Sequence, residues 1–221
     1  LQPDSYLLKP FSFVQLEKRL MRAFEIKHCL NKVYQEIAGD LYIEAANSCE
    51  QVIKNDPDFA VFALRLRGEL LLKIEHYQAA EQLYLTILNR REYAWAKLGL
   101  AIARFCQQRW LEAEFELREL SKMDETRVEA LDWLSRLFLK RQLYKDAYET
   151  LNDVTKLSPK NYKRQKALAN LANINGLKDD AVKIYARLQQ AARYSIYDTP
   201  DNFLNYARAI LELTKDANKL E

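Results

Sequence analysis

His28 and His76 are the only two histidines in 221 residues. A metal centre or a general acid–base pair needs His, Cys or carboxylate partners at short, regular intervals. The two histidines fall on different helical patterns, and neither has a ligand set at that spacing. Cys29, Cys49 and Cys106 are scattered, with no C-x2-C pair. An odd number of isolated thiols fits a reducing compartment, and each reads as a buried small hydrophobe. Four solitary glycines cannot build a phosphate-cradling loop. The acidic pair Asp179–Asp180 opens a helical pattern, where negative charge complements the helix dipole. The sequence therefore predicts no catalytic site, no metal and no cofactor. What remains is surface chemistry, the recognition of one molecule by aromatic and charged side chains.

The densest basic stretch is "KLSPKNYKRQK", with Lys156, Lys160, Lys163, Arg164 and Lys166 around Tyr162. An RNA-binding protein could use it for phosphates and base stacking. A net charge of only +3, with Glu129 and Asp132 close by in the fold, disfavours nucleic acid. The chain is 49% hydrophobic and 29% charged, enough for one or two domains with a real core. Four Gly and five Pro are few, which predicts helices joined by short turns. No apolar run approaches the ~18 residues that span a bilayer, and no signal peptide is visible, so a cytoplasmic protein is expected. The abrupt start without Met suggests a fragment of a longer protein. The final Leu220 and Glu221 look like a cloning remnant and carry no structural weight.

The elements that must position these side chains repeat. Five segments align: "LYIEAANSCEQVI" from Leu41, "HYQAAEQLYLTIL" from His76, "RWLEAEFELRELS" from Arg109, "LYKDAYETLNDVT" from Leu143 and "LKDDAVKIYARLQ" from Leu177. Tyr42, Tyr77, Trp110 and Tyr144 each precede an alanine by three positions. The alanines Ala45, Ala80, Ala113, Ala147 and Ala181 follow one another at near-constant intervals. Each unit holds two amphipathic helical segments, with the small residue of the second allowing a close approach to the first. In the fourth, Leu131, Leu134 and Phe138 line the first helix, Ser135 marks the crossing, and Pro159 closes the unit.

This pattern resembles the tetratricopeptide repeat, a unit of about 34 residues with a W-x2-L-G-x2-Y signature, an alanine and a terminal Pro. The resemblance spans roughly residues 26–193 and implies an all-α fold. It implies a right-handed superhelical array of about five helix-turn-helix units, placed at residues 25–193. Gly68, Ala80 and Tyr84 carry it in the second repeat; Leu168, Ala169, Gly176 and Ala181 carry it in the fifth. Repeats 2, 3 and 5 lack the terminal Pro. In repeat 3, "AWAKLGLAIA" matches W-x2-L-G at Trp95, Leu98 and Gly99, but Gly99 then stands two residues too far from Ala113. A lengthened helix after a shortened turn is expected there. After "YSIYDTP", residues 194–221 predict a capping helix, with Thr199 or Asp201 as N-cap, Pro200 in the first turn, and Phe203, Tyr206, Ala207, Ile210 and Leu213 as its apolar face.

The opening "SYLLK", a Lys-Pro step and "SFVQLEKRLMRAF" read as a strand followed by a helix. Ser12 with Gln15 forms a capping box, and Phe13, Leu16, Leu20 and Phe24 form the apolar face. This βα stub, residues 1–24, resembles the end of a response-regulator receiver domain, whose motif is aromatic-x-x-Lys-Pro-Phe: Tyr6, Lys9, Pro10 and Phe11. The resemblance implies a phosphoryl-contacting role for Lys9, a cis peptide before Pro10 and a rotameric switch at Tyr6. The apolar stripe changes face and restarts as Ile26, Leu30, Val33 and Ile37, which predicts one long helix joining receiver and repeats.

By the tetratricopeptide resemblance, first-helix residues at about positions 2, 5, 6, 9 and 12 of each unit line a concave, peptide-binding groove. These are Asn31 and Tyr34 in repeat 1, and Phe62, Arg65 and Glu69 in repeat 2. Repeat 4 offers Glu129, Asp132, Trp133, Arg136 and Leu139; repeat 5 offers Lys163, Lys166, Ala167 and Asn170. Lys163, Lys166 and Asn170 resemble part of a carboxylate clamp whose remaining members are not matched, and an ordinary solvated face accounts for them equally. Trp133 is either a peptide anchor or inter-repeat packing. The expected function is a protein-interaction scaffold, the output domain of a two-component response regulator, with a protein or peptide partner. The alternative is a structural oligomerisation module forming a homodimer; an RNA-binding repeat ranks below both.

Overall fold

A computed structural model describes residues 9–217 of the chain. Among these residues there are twelve α-helices and one 3-10 turn, and no strand. Residues 5–8, most of the expected strand, lie outside the described residues, so of the βα stub only the helix is seen. That helix, α1 (Phe13–Cys29), starts at the expected capping box. The Gln15 amide donates to Ser12 Oγ at 3.2 Å, and the Ser12 amide to Gln15 Oε1 at 2.9 Å. It contains no buried residue, and Phe13, Leu20 and Phe24 are exposed.

The expected continuous helix is instead broken at Leu30, which caps α1 before α2 (Asn31–Ala38) begins. The apolar restart is present all the same. Leu30 and Val33 are buried, with Ile26 and Ile37 packed against them. The helices α3 (Tyr42–Asn55), α4 (Ala60–Lys73), α5 (Tyr77–Leu88), α6 (Ala94–Cys106) and α7 (Trp110–Leu120) follow. Then come α8 (Arg127–Lys140), α9 (Tyr144–Leu157), α10 (Tyr162–Ile174), α11 (Lys178–Ala192) and α12 (Pro200–Ala217). They divide into two compact units between Arg109 and Trp110.

One turn recurs at all five hairpins. Asp40, Glu75, Gln108, Gln142 and Gly176 adopt a left-handed backbone, with φ between 59° and 73°. The next residue's amide reaches back five positions to a helix carbonyl: Leu41 to Glu36 (2.8 Å), His76 to Leu71 (2.9 Å), Arg109 to Arg104 (3.0 Å), Leu143 to Phe138 (2.9 Å) and Leu177 to Ala172 (2.8 Å). This is the Schellman closure, which satisfies carbonyls that a helix end leaves open. Glycine suits the left-handed position, yet only Gly176 uses it.

In the first unit, Leu30, Val33, Ala45, Ala46, Cys49, Ala63 and Leu70 form one core cluster. Leu71, Ala80, Tyr84, Ile87, Ala96, Leu100 and Ala103 form a second. The Tyr84 ring is clamped between two helices. A Cβ on Gly99 would fall 2.2 Å from its Cζ, and one on Gly68 would fall 2.5 Å from its Oη. Glycine at both positions is a packing requirement, since any larger residue would collide with a ring that has nowhere to go.

That clamp corrects the register expected for repeat 3. α6 is 13 residues and α4 is 14, so α6 is not lengthened, and residues 89–93 make an ordinary connection. Compact residues lie twelve positions ahead of each repeat alanine: Val33, Gly68, Ala101, Ser135 and Ala169, all buried. Ala101 therefore holds the equivalent place in α6, and Gly99 instead faces back onto Tyr84. The W-x2-L-G match was two residues out of phase.

The buried carboxylate of Glu81 is tied down by three donors. Glu81 receives Gln107 Nε2 at 2.8 Å, Arg104 Nε at 3.2 Å and Arg109 Nη1 at 2.7 Å. Burial opposes its charge, but these donors prevail and hold the carboxyl below its ordinary range. In the second unit, Ala169, Ala172, Ala181, Tyr185, Leu188 and Ala209 form the core beside Tyr162 and Tyr206. Thr126 closes the turn before α8, its Oγ1 donating to Leu120 O at 2.8 Å.

Candidate peptide-binding faces

In the second unit the expected residues lie on α8 and α10. α8 carries Glu129 and Arg136 exposed, with Asp132, Trp133 and Leu139 half-buried. The Arg136 guanidinium sits 4.6 Å above the Trp133 ring, a cation–π pair that leaves part of the indole at the surface. On α10, Lys163 and Asn170 are exposed and Lys166 is half-buried. Asn170 Oδ1 accepts from the Tyr185 hydroxyl at 2.5 Å, which fixes the orientation of its amide.

Asp132 has a different part. Arg164, only 8% exposed, donates to it from Nε at 2.8 Å and from Nη2 at 2.6 Å. The Asp132 hydrogen bonds raise the Arg164 pKa against the opposing effect of burial. This bidentate pair binds α8 to α10, so the carboxylate positions the face more than it meets a ligand. Other members of the basic stretch are engaged as well. Arg164 is internal, Lys156 pairs with Asp153 at 2.9 Å, and Tyr162 stacks on Tyr197 with centroids 4.2 Å apart while donating to Asn202. The side chain meant to stack on a base already stacks within the protein.

In the first unit, Asn31 is exposed at the start of α2, and Tyr34 is half-buried against the core. Phe62 is 41% exposed on α4. Arg65 Nε lies 3.3 Å from Glu69 Oε1 on the same helix, and its guanidinium stands 5.9 Å from the Trp95 ring. The Ala101 register puts Trp95 six residues ahead of Ala101, as Phe62 is ahead of Gly68 and Glu129 ahead of Ser135. Trp95 thus belongs to the first-helix face, and counting twelve back from Ala113 would have found it.

At the N-terminal end, Lys9 and Pro10 are exposed and joined by a cis peptide, the isomer the receiver resemblance implies. Tyr6 lies outside the described residues. His28 and Cys29 line a notch with Arg22, Glu25, Asp56, Asp58 and Phe59. Burial, then Asp56, pushes the Cys29 thiol pKa up. Among the described residues no group of three His, Cys, Asp or Glu is arranged to hold a metal. Burial also pushes the Cys49 thiol up to about 12, as expected of an inert core cysteine. No helix among the described residues is long and apolar enough to cross a membrane.

The helix pairs, the recurring turn and the small-residue crossings are those of the tetratricopeptide-repeat fold. A thermophilic TPR protein of Thermus thermophilus superposes with a TM-score of 0.62 at 20% identity, over 84% of this chain and 99% of that one. A tetratricopeptide repeat protein from Parabacteroides merdae gives 0.59 at 16% identity, over 88% and 76%. YrrB, described as a TPR protein with an unusual peptide-binding site, gives 0.51 at 13% identity, over 77% and 88%. No family model and no curated protein sequence matches the chain.

Proposed function

We propose that the chain is a non-catalytic protein-interaction scaffold that takes a peptide on its first-helix faces, with the α8–α10 face as its main anchor. The observation that carries this is Trp133 beneath Arg136: a large ring, half-exposed and held in place, on a face whose exposed neighbours are charged or polar. Such a ring supplies contact area at little entropic cost, the character of a binding hot spot. The peptide-binding site named for YrrB, a protein of the same fold, favours the same use. Selection of a random peptide library on the protein tests it. Amide protection on binding should concentrate in α8 and α10; protection confined to α9 and α11, or no binder at all, rejects it.

We further infer a two-component setting in the cytoplasm, with this chain as the output domain of a response regulator. The Lys9-Pro10-Phe11 step followed by the capped helix α1 supports it. In a parent protein carrying the receiver, phosphorylation should change the affinity for the selected peptide. Equal affinity with and without the phosphoryl group would separate the scaffold from that setting.

A further inference from the structure

α12 has two apolar stripes, and only one of them is covered. Asn202 and Ala209 are buried and Tyr206 is packed into the unit's core. A third of a turn round the helix, Phe203 (49%), Leu204 (50%), Ile210 (36%) and Leu211 (58%) are exposed, with Ala207 among them. The preceding first helices explain this second stripe. α8 buries Ala130 and Leu137, seven apart, with Ser135 between them at the crossing; α10 buries Arg164 and Leu171, with Ala169. α12 repeats the spacing with Asn202, Ala209 and Ala207. Ser135 is buried and Ala169 packs in the core with Ala181 of α11, whereas Ala207 faces solvent. The expected capping helix is thus built as a further first helix, with a crossing surface ready for another helix. An end cap should instead show a polar outer face.

We propose that the occupant is α12 of a second copy, packed antiparallel about a two-fold axis at Ala207. The stripe is self-complementary about that residue. Phe203 meets the partner subunit's Leu211, Leu204 meets the partner subunit's Ile210, and the two Ala207 residues let the backbones approach. On the flank, Asp201 comes within a turn of Lys215 of the partner subunit, twice per dimer, and the helix dipoles oppose. The two Arg208 side chains approach each other near the axis, each offset by its own Glu212 one turn along. An isologous contact of this kind closes as a dimer and does not propagate. Two helices of this length bury on the order of 1,000 Å², at the small end of specific interfaces, so the dimer is a reversible one.

Sedimentation velocity across a concentration series from about 1 to about 300 μM tests the proposal. The protein should shift from monomer to dimer, and Leu211→Lys, an outward change that leaves the α11 contact intact, should weaken the dimer at least tenfold. Asp201→Lys should weaken it and adding Lys215→Asp should restore it. Under mild oxidation, Ala207→Cys should give a disulfide-linked dimer beyond the level of the parent protein, because the axial residue meets its own copy, and Phe203→Cys, which meets Leu211 of the partner subunit, should not. A monomer at every concentration overturns the proposal. So does a dimer that survives Leu211→Lys but is lost on Phe13→Glu, which would place the contact on the exposed face of α1.

Discussion

Gly99→Ala should destabilise the protein, although the same change in an exposed helix would stabilise it. Alanine gains ~1 kcal/mol of helix propensity over glycine. Against that, the new methyl would lie 2.2 Å from Tyr84 Cζ and 2.5 Å from Cε1, about two-thirds of an ordinary contact distance. The ring cannot retreat, because Gly68 of α4 faces its other side. Overpacking of a well-filled core costs ~1–3 kcal/mol, and with both faces blocked the upper end applies, leaving a net loss of ~2 kcal/mol. For a chain of this size that lowers the melting temperature by roughly 4–8 °C. Urea denaturation followed by circular dichroism would measure it, with amide exchange to show the loss centred on α4–α6. Tyr84→Leu should remove the collision, so the double variant should be at least ~1 kcal/mol more stable than the sum of the single losses. A neutral or stabilising Gly99→Ala, or strict additivity with Tyr84→Leu, would refute the clamp.

The Glu81 network gives a pH prediction. Its carboxyl is depressed in the folded protein, so the stabilisation is complete above the ordinary carboxylate pKa of ~4.3 and is lost as pH falls through the lower folded value. Glu81→Ala should cost ~1–3 kcal/mol at pH 7, the loss of charged hydrogen bonds whose arginines still reach solvent, and the gap from wild type should narrow in acid melts. The hairpin turns give opposite signs at equivalent positions. Gln142→Gly should stabilise by up to ~1 kcal/mol by relieving a left-handed side chain, while Gly176→Ala should destabilise by ~1–2 kcal/mol, both read by chemical denaturation.

Much of the fold is written in small residues at fixed spacing, and those are legible because each marks a place where two helices must touch. All five repeat alanines are buried. The register of α6 was not legible from a local motif, because Trp95, Leu98 and Gly99 imitate the signature while Gly99 serves the neighbouring helix. The left-handed turns were visible only at Gly176, since Asp40, Glu75, Gln108 and Gln142 accept the same backbone without advertising it. Position within the unit puts Trp133 and Arg136 on the first-helix face but does not show that Asp132 is engaged with Arg164. That pairing depends on two residues a whole repeat apart. The apolar character of α12 was plain; that it divides into a covered and an uncovered stripe needs the position of α11.

The central claim, a peptide anchored on the α8–α10 face, is tested most directly by titrating a library-selected peptide against three variants. Trp133→Ala and Arg136→Ala should weaken binding by ~1–3 kcal/mol, about 5- to 150-fold, with the protein still fully folded at the assay temperature. Phe115→Ala, an exposed ring on the second helix α7, should bind as wild type. Full affinity in both α8 variants, with loss in Phe115→Ala, would place recognition on the second helices and contradict the account.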